Sequence, residues 1–141
     1  MTNSPLLSKV EFPVRFSEVD SMNIVWHGHY VKYMEEGRED FGRKFGISYM
    51  MIKASGYMAP VVKITCEYKK PLQYDDKVIV ETRFVDSAAA KITYAFRLFR
   101  ASDNELVATG ESVQVFLDME RELVLTTPPF FEAWKKKMGL R

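Results

Sequence analysis

Residues 16–45, FSEVDSMNIVWHGHYVKYMEEGREDFGRKF, contain the longest helical pattern in the chain and the polar loop that leads into it. Apolar or small residues recur there at spacings of three and four, the period of one helical face. They are Tyr30, Met34, Gly37, Phe41 and Phe45. Gly46 is suited to end a helix, because glycine adopts a left-handed backbone without strain. The pattern therefore predicts an amphipathic helix over residues 28–45.

Alternating apolar and polar residues on both sides of this helix predict β-strands. One run precedes the helix over residues 10–16, and four runs follow it over residues 62–68, 78–84, 92–98 and 107–117. Short turn-like segments join the later runs, so sequence neighbours are expected to pair antiparallel. Pro13 cannot donate to a strand ladder, which predicts an edge or a bulge in the first strand.

Smaller elements complete the pattern. We expect a second helix over residues 48–55, a short strand over 123–126 and an amphipathic helix that begins near Pro128 and Pro129. The order is one strand, a long helix, and then consecutive strands, which is typical of an α+β domain whose sheet needs a helix against one face. Length predicts one domain over residues 1–141.

Charge and cysteine content exclude several classes of function. The formal net charge is +1, so we expect neither a nucleic acid nor a membrane surface as partner. Cys66 is the single cysteine and cannot form an internal disulfide. No stretch has the apolar length of a signal peptide or a membrane-spanning helix, and a cytoplasmic protein is the expectation.

The strand faces that do not meet the helix still carry apolar side chains, namely Ile79, Val85 and Phe99. Such surfaces are often covered by a second copy of the same chain. We therefore predict a homo-oligomer.

Chemistry-bearing residues concentrate in the loop before the long helix. It contains Asp20, Trp26 and both histidines of the protein, His27 and His29. Loops on rigid scaffolds are where catalytic groups gather, although an isolated aspartate in a loop is more often a turn former or a helix cap. We do not expect a metal, because two histidines two residues apart at a helix start face different sides and no cysteine is near.

This loop resembles the signature of the hotdog-fold thioesterases of the 4-hydroxybenzoyl-CoA thioesterase type. The matching positions are Asp20, residues 24–26, His27, Gly28 and Tyr30, followed by residues 34–38. Residues 67–71 and 74–76 are similar to the strand and turn that follow the helix in that family. The resemblance implies a hotdog fold, in which a curved antiparallel sheet of about five strands wraps around the long helix.

The resemblance also implies an activity, the hydrolysis of an acyl-CoA thioester to a free acid and CoA without a cofactor. The backbone N–H of His27 would polarise the thioester carbonyl, and Asp20 would attack it directly or act as general base on water; the two mechanisms stay open. Trp26, His29 and Tyr30 would contact the substrate. Glu36 is the reserve catalytic carboxylate, since some relatives use a helix glutamate.

Two positions depart from the family pattern. Asn23 replaces the usual loop glycine, and asparagine tolerates the left-handed backbone better than most residues. His29 replaces the usual asparagine and would either form a hydrogen bond or act as a general base.

The basic residues that would bind the CoA phosphates are less distinct. Lys63 and Lys91 are the candidates, with Lys69, Lys70 and Arg100 as alternatives. The family implies a dimer, or a tetramer of two dimers, with the acyl tunnel at the subunit interface. Two other functions remain open: a thioesterase acting on acyl-carrier-protein substrates, and a hotdog protein that binds acyl-CoA without catalysis.

Overall fold

A computed structural model describes residues 6–140 and contains one sheet and three helices in that range. The strands are β1 Leu7–Pro13, β2 Val61–Tyr68, β3 Lys77–Val85, β4 Lys91–Arg100, β5 Glu105–Leu117 and β6 Leu123–Val124. The helices are α1 His29–Phe45, α2 Tyr49–Ala54 and α3 Pro129–Lys137. A single 3₁₀ turn, Phe16–Glu18, lies between β1 and α1.

The sheet is antiparallel throughout, in the order β1-β3-β4-β5-β2, and the two-residue β6 pairs with the end of β5. The predicted α+β hotdog architecture is confirmed, with five long strands and one short strand. β1 and β2 form the two edges. The position of β1 agrees with the edge strand that Pro13 indicated.

The predicted pairing of β2 with β3 is wrong. β2 pairs with β5 at the far edge, whereas β3 lies between β1 and β4. The intervening segment, residues 69–76, is no hairpin: Leu72 is fully buried, and its carbonyl accepts a hydrogen bond from the Val25 N–H at 2.8 Å. The segment crosses the end of the sheet and holds the loop before α1.

The boundaries of β1 also differ from the predicted residues 10–16. The strand begins at Leu7, opposite Arg83, and ends at Pro13, opposite Lys77. Beyond Pro13 the chain leaves the ladder, and Phe16 enters the 3₁₀ turn with 74% of its surface exposed. The alternation at residue 16 therefore reflects an exposed turn residue and not a strand position.

Helix α1 packs closely against the sheet through a glycine. A Cβ atom at Gly37 would lie 2.5 Å from Val80 Cγ1 and 2.6 Å from Thr82 Oγ1, both on β3. Four residues along the sequence, the buried Phe41 continues the same apolar face. Gly46 ends the helix with φ at +76°, as predicted.

The smaller helices match their predictions. Ser48 caps α2 by accepting a hydrogen bond from the Met51 N–H. In α3, Phe131 and Trp134 are buried, and Trp134 Nε1 donates to the Phe45 carbonyl at 2.7 Å.

Within residues 6–140, no helix combines the length and the apolar character needed to cross a membrane.

Gly37→Ala tests whether α1 needs this close approach. Alanine should gain about 1 kcal/mol of helix propensity. The clash with Val80 and Thr82 should outweigh that gain and lower the free energy of unfolding by about 1–3 kcal/mol overall. Urea unfolding measures the change. Lys32→Ala, at an exposed position of the same helix, is the control and should stay within about 0.5 kcal/mol of the wild type. Equal or greater stability of Gly37→Ala would contradict the contact.

Candidate active site

The loop before α1 closes on itself through backbone hydrogen bonds. Val19 bridges Val25, and the Asp20 N–H donates to the Ile24 carbonyl at 2.8 Å. The Asn23 N–H donates to the Asp20 carbonyl at 3.0 Å, and φ of Asn23 is +61°. Asn23 thus adopts the left-handed backbone that asparagine was expected to tolerate.

Asp20 uses one carboxylate oxygen to stabilise this turn. Its Oδ1 accepts hydrogen bonds from the N–H groups of Met22 and Ile24, at 2.8 and 3.3 Å. Its side chain is exposed, and within the described residues 6–140 Oδ2 has no hydrogen-bond partner. The aspartate is therefore a turn former with one oxygen left available.

A second turn in the chain has the same construction. Asp118 Oδ1 accepts from the N–H groups of Glu120 and Glu122 at 2.9 and 3.0 Å, and Arg121 has φ at +65°. The turn by itself is consequently not a mark of an active site. What distinguishes Asp20 is that the start of the longest helix follows its turn.

The peptide groups at the start of α1 have unused donors. In the described part of the chain, the N–H groups of His27 and Gly28 have no hydrogen-bond acceptor. The His27 carbonyl accepts from the Tyr68 hydroxyl at 3.0 Å. Since C=O and N–H point in opposite directions in a trans peptide, Tyr68 also fixes the direction of the Gly28 N–H. These donors lie at the positive end of the helix dipole.

The indole ring of Trp26 lies across Gly28. A Cβ at Gly28 would collide with this ring, so a larger residue at position 28 would require the indole to move. The indole is about half exposed and is in ring contact with both His27 and His29. His29 is half-buried, and its Nδ1 is buried without a partner among residues 6–140; no hydrogen bond joins it to Asp20.

A cavity of about 280 Å³ opens beside the helix start. It is lined by Ile24, Val25, His27, Tyr30, Tyr68, Lys69, Lys70 and Pro71. The fold thus brings His27 and Tyr30 together with two lysines. Burial raises the pKa of Tyr30, which stays a neutral phenol near neutral pH. Asp20, Trp26 and His29 do not line this cavity.

The other predicted basic residues lie elsewhere. Lys63 is on β2 and Lys91 begins β4; both are exposed and neither lines this cavity. Glu36 is exposed on α1, outside the cavity. Across residues 6–140, no three His, Cys, Asp or Glu side chains come together as metal ligands would.

A second cavity, of about 390 Å³, lies between α1, α2 and the start of β2. Its lining is largely apolar and includes Ile52, Tyr57 and Ile92, with Arg38 and Gln114 among the polar residues. Asp20 and His27 do not reach it within one chain.

The structure adds three residues that the sequence did not single out. Tyr68 holds the His27 carbonyl, and Glu18 and Tyr33 form a buried hydrogen bond under the loop. Tyr68 lies within the second matching motif, which was the only signal for it. Nothing in the local pattern separates Glu18 from the other polar residues of the loop.

The fold and the loop define the class: an α+β hotdog protein whose longest helix begins with free amide groups after a carboxylate-bearing turn. The model of the thioesterase-like superfamily matches residues 14–135. The chain is 34% identical over 114 residues to YneP of Bacillus subtilis, to which acyl-CoA thioesterase activity is provisionally assigned; the match covers 81% of this chain and 82% of YneP.

Two further comparisons agree. An acyl-acyl carrier protein thioesterase of Arabidopsis thaliana is 28% identical over 110 residues, which are 78% of this chain and 58% of that protein. The crystal structure of a DHNA-CoA thioesterase from Staphylococcus aureus superposes with a TM-score of 0.82 at 27% identity, covering 94% of this chain and 91% of the other. The chain belongs to the thioesterase-like superfamily and is a thioester hydrolase, as predicted.

Two substitutions at Asn23 test the left-handed position. Asn23→Gly should fold like the wild type, with a free energy of unfolding within about 1 kcal/mol, because glycine adopts positive φ freely. Asn23→Val should lose about 1–3 kcal/mol, because a β-branched side chain is strained there. Urea unfolding compares the two variants, and equal stability would show that φ at residue 23 is not constrained.

Proposed function

We propose that the chain hydrolyses acyl-CoA thioesters, with Asp20 and the amides of His27 and Gly28 as the reacting groups. One observation supports the proposal most strongly. The same closed loop contains a carboxylate oxygen, Asp20 Oδ2, and two N–H groups at the start of α1 that form no hydrogen bond within residues 6–140. The activity assigned to YneP and the substrate in the name of the Staphylococcus aureus enzyme support CoA thioesters as the substrate class.

The chemistry assigns each group a role. The free amides hydrogen-bond the thioester oxygen as it becomes negative, and one such donor is worth about 3 kcal/mol of transition-state stabilisation. Asp20 Oδ2 either attacks the carbonyl carbon, which gives a mixed anhydride that water then hydrolyses, or removes a proton from a water molecule that attacks the carbonyl directly. The C–S bond breaks, the thiolate of CoA takes up a proton, and the products are the carboxylic acid and free CoA. A thiolate leaves readily, so no strong acid is required.

Lysines near the helix start are candidates for the CoA phosphates. Lys69 and Lys70 line the cavity that contains His27 and Tyr30, whereas Lys63 and Lys91 do not. We therefore prefer Lys69 and Lys70 as the residues that bind the phosphates. In this proposal Tyr30 contacts the thioester end of the substrate from the cavity wall. Trp26 and His29, whose rings contact each other beside Gly28, are proposed as further substrate contacts.

A dimer formed through β2 would complete the site. β2 is an edge strand with exposed apolar side chains, and 58% of the surface of Val62 is accessible. Antiparallel pairing about a two-fold axis at the middle of β2 places Val61 of one copy beside Tyr68 of the other. The 390 Å³ cavity, which Val61 borders, then adjoins the helix start that Tyr68 holds. We propose it as the acyl pocket.

Association of two such dimers would cover the outer face of the sheet, which carries the Glu81–Arg97 ion pair as well as apolar side chains. Ile79, Val85 and Phe99 are half-buried there, and they support a tetramer of two dimers. We also propose a cytoplasmic location, because Cys66 is a free thiol and, as the single cysteine, can form no internal disulfide.

The similarity to the Arabidopsis thaliana enzyme favours a second candidate substrate, an acyl group on a carrier protein. If the protein hydrolysed an acyl-carrier-protein thioester faster than the acyl-CoA with the same acyl group, the carrier-protein thioester would be the preferred substrate. Tight acyl-CoA binding without thiol release would instead indicate a non-catalytic binding protein.

Asp20→Asn tests the catalytic role. The amide keeps an oxygen for the turn but cannot act as nucleophile or base, so turnover should fall at least 100-fold, an order of magnitude typical of lost general-base catalysis. Release of free thiol from aliphatic and aromatic acyl-CoAs measures it. Asp118→Asn, in the turn of identical construction, is the matched control and should keep wild-type turnover. A rate above about a tenth of wild type for Asp20→Asn would contradict the role.

Val62→Glu tests the proposed dimer. In the register that places Val61 beside Tyr68, residue 62 of one copy lies opposite Glu67 of the other. A glutamate there would place like charges directly opposite each other, so we expect monomers and at least a tenfold loss of turnover. Sedimentation velocity gives the oligomeric state. Leu125→Glu is the matched control, since Leu125 is 81% exposed and lies outside β2. An intact dimer in Val62→Glu, or equal dissociation of Leu125→Glu, would exclude β2 as the interface.

A further inference from the structure

Glu18 is a carboxylate buried beneath the catalytic loop, with only 3% of its surface exposed. Its Oε1 accepts a hydrogen bond from the Arg15 N–H and another from the Tyr33 hydroxyl, both at 2.8 Å. Its Oε2 lies 3.7 Å from the guanidinium Nη1 of Arg15. Burying a carboxylate costs several kcal/mol unless it is paired and hydrogen-bonded. These partners are what makes the burial possible.

The backbone of Glu18 is engaged as well. Its carbonyl accepts a hydrogen bond from the Trp26 N–H at 3.0 Å. Glu18 lies two residues before Asp20, and Trp26 lies directly before His27, whose amide is free. Tyr33 is on α1, one turn after the helix begins. One residue therefore connects the exit of β1, the body of α1 and both ends of the loop.

We propose that Glu18 is a positioning residue for thioester hydrolysis, holding Asp20 in register with the free amides of His27 and Gly28 through its hydrogen bonds to Tyr33 and Trp26. This inference rests on the proposed function of Asp20. It adds a pair of residues, Glu18 and Tyr33, that never meet the substrate.

Neither member of the pair is placed to react. Glu18 is buried, and neither Glu18 nor Tyr33 lines the 280 Å³ or the 390 Å³ cavity. Burial and the hydrogen bond to Glu18 raise the pKa of Tyr33, so Tyr33 remains a hydroxyl donor at any working pH. Their effect on the reaction is therefore geometric, and misplacement of a reacting group by about 1 Å can cost about 100-fold in rate.

Tyr33→Phe tests the proposal with a minimal change, since it removes one oxygen atom and leaves the ring in place. We expect kcat to fall at least tenfold while KM changes less than twofold. Hydrogen exchange, followed by mass spectrometry, should speed up at the amides of Asp20, Asn23 and Trp26, which the loop protects. The rest of α1 should exchange as in the wild type.

Glu18→Gln and Glu18→Ala give the second comparison. Glutamine keeps an oxygen that accepts from Arg15 and Tyr33, so Glu18→Gln should retain more turnover and more loop protection than Glu18→Ala. Glu81→Gln is the matched control: Glu81 is also a buried carboxylate, paired with Arg97 at 2.6 Å on β3 and β4, away from the loop. It should lower the melting temperature without slowing turnover.

The outcomes separate the two proposals. A kcat for Tyr33→Phe within twofold of wild type, unchanged loop exchange, or an equal loss of turnover in Glu81→Gln would each overturn the positioning role. If wild-type protein released no thiol from any acyl-CoA, the proposed function would fail instead. The exchange measurement would then still decide whether Glu18 holds the loop. If Tyr33→Phe did not fold, the difference in loop exchange between Glu18→Gln and Glu18→Ala would supply that result.

Discussion

The close approach of α1 to the sheet is the constraint on which the rest of the structure depends. Gly37 allows the helix backbone to lie against Val80 and Thr82, and Met34 packs against Gly110 of β5, where a Cβ would also clash. Two small residues, one on the helix and one on the sheet, therefore fix the position of α1. Once the helix is fixed, its first residues meet the end of β2, where Tyr68 holds the carbonyl of His27.

The loop that precedes α1 shows how one sequence segment serves both folding and chemistry. The turn at Asp20 and the turn at Asp118 have the same hydrogen bonds and the same left-handed fourth residue, Asn23 or Arg121. The turn geometry is thus a general solution for reversing the chain. At Asp20 it is followed directly by the start of α1, so that the carboxylate oxygen unused by the turn and the unused amides belong to one rigid segment.

The sequence predicted elements whose signals are local and failed where contacts are distant. The spacing from Tyr30 to Phe45 gave α1, and alternation gave the later strands, because one buried face imposes its own period. The predicted pairing of β2 with β3 was wrong, because a short polar segment indicates that the chain turns but not which strand pairs with which. Tyr68 and Glu18 were not singled out because their hydrogen bonds span 41 and 15 residues, and no local pattern reports such pairs.

Two acidic residues, Glu18 and Asp20, lie two positions apart in this loop, and they differ in burial and therefore in role. Glu18 is enclosed and meets two donors and a guanidinium, so its charge is satisfied inside the protein and its position is fixed. Asp20 is exposed and gives one oxygen to the turn, so its second oxygen remains available to a substrate. A carboxylate whose oxygens are enclosed by partners inside the protein is not accessible to a substrate. A carboxylate on a loop that is free to move is not held at a fixed position relative to the amides. The loop therefore needs both residues, because the first provides the restraint that the second lacks.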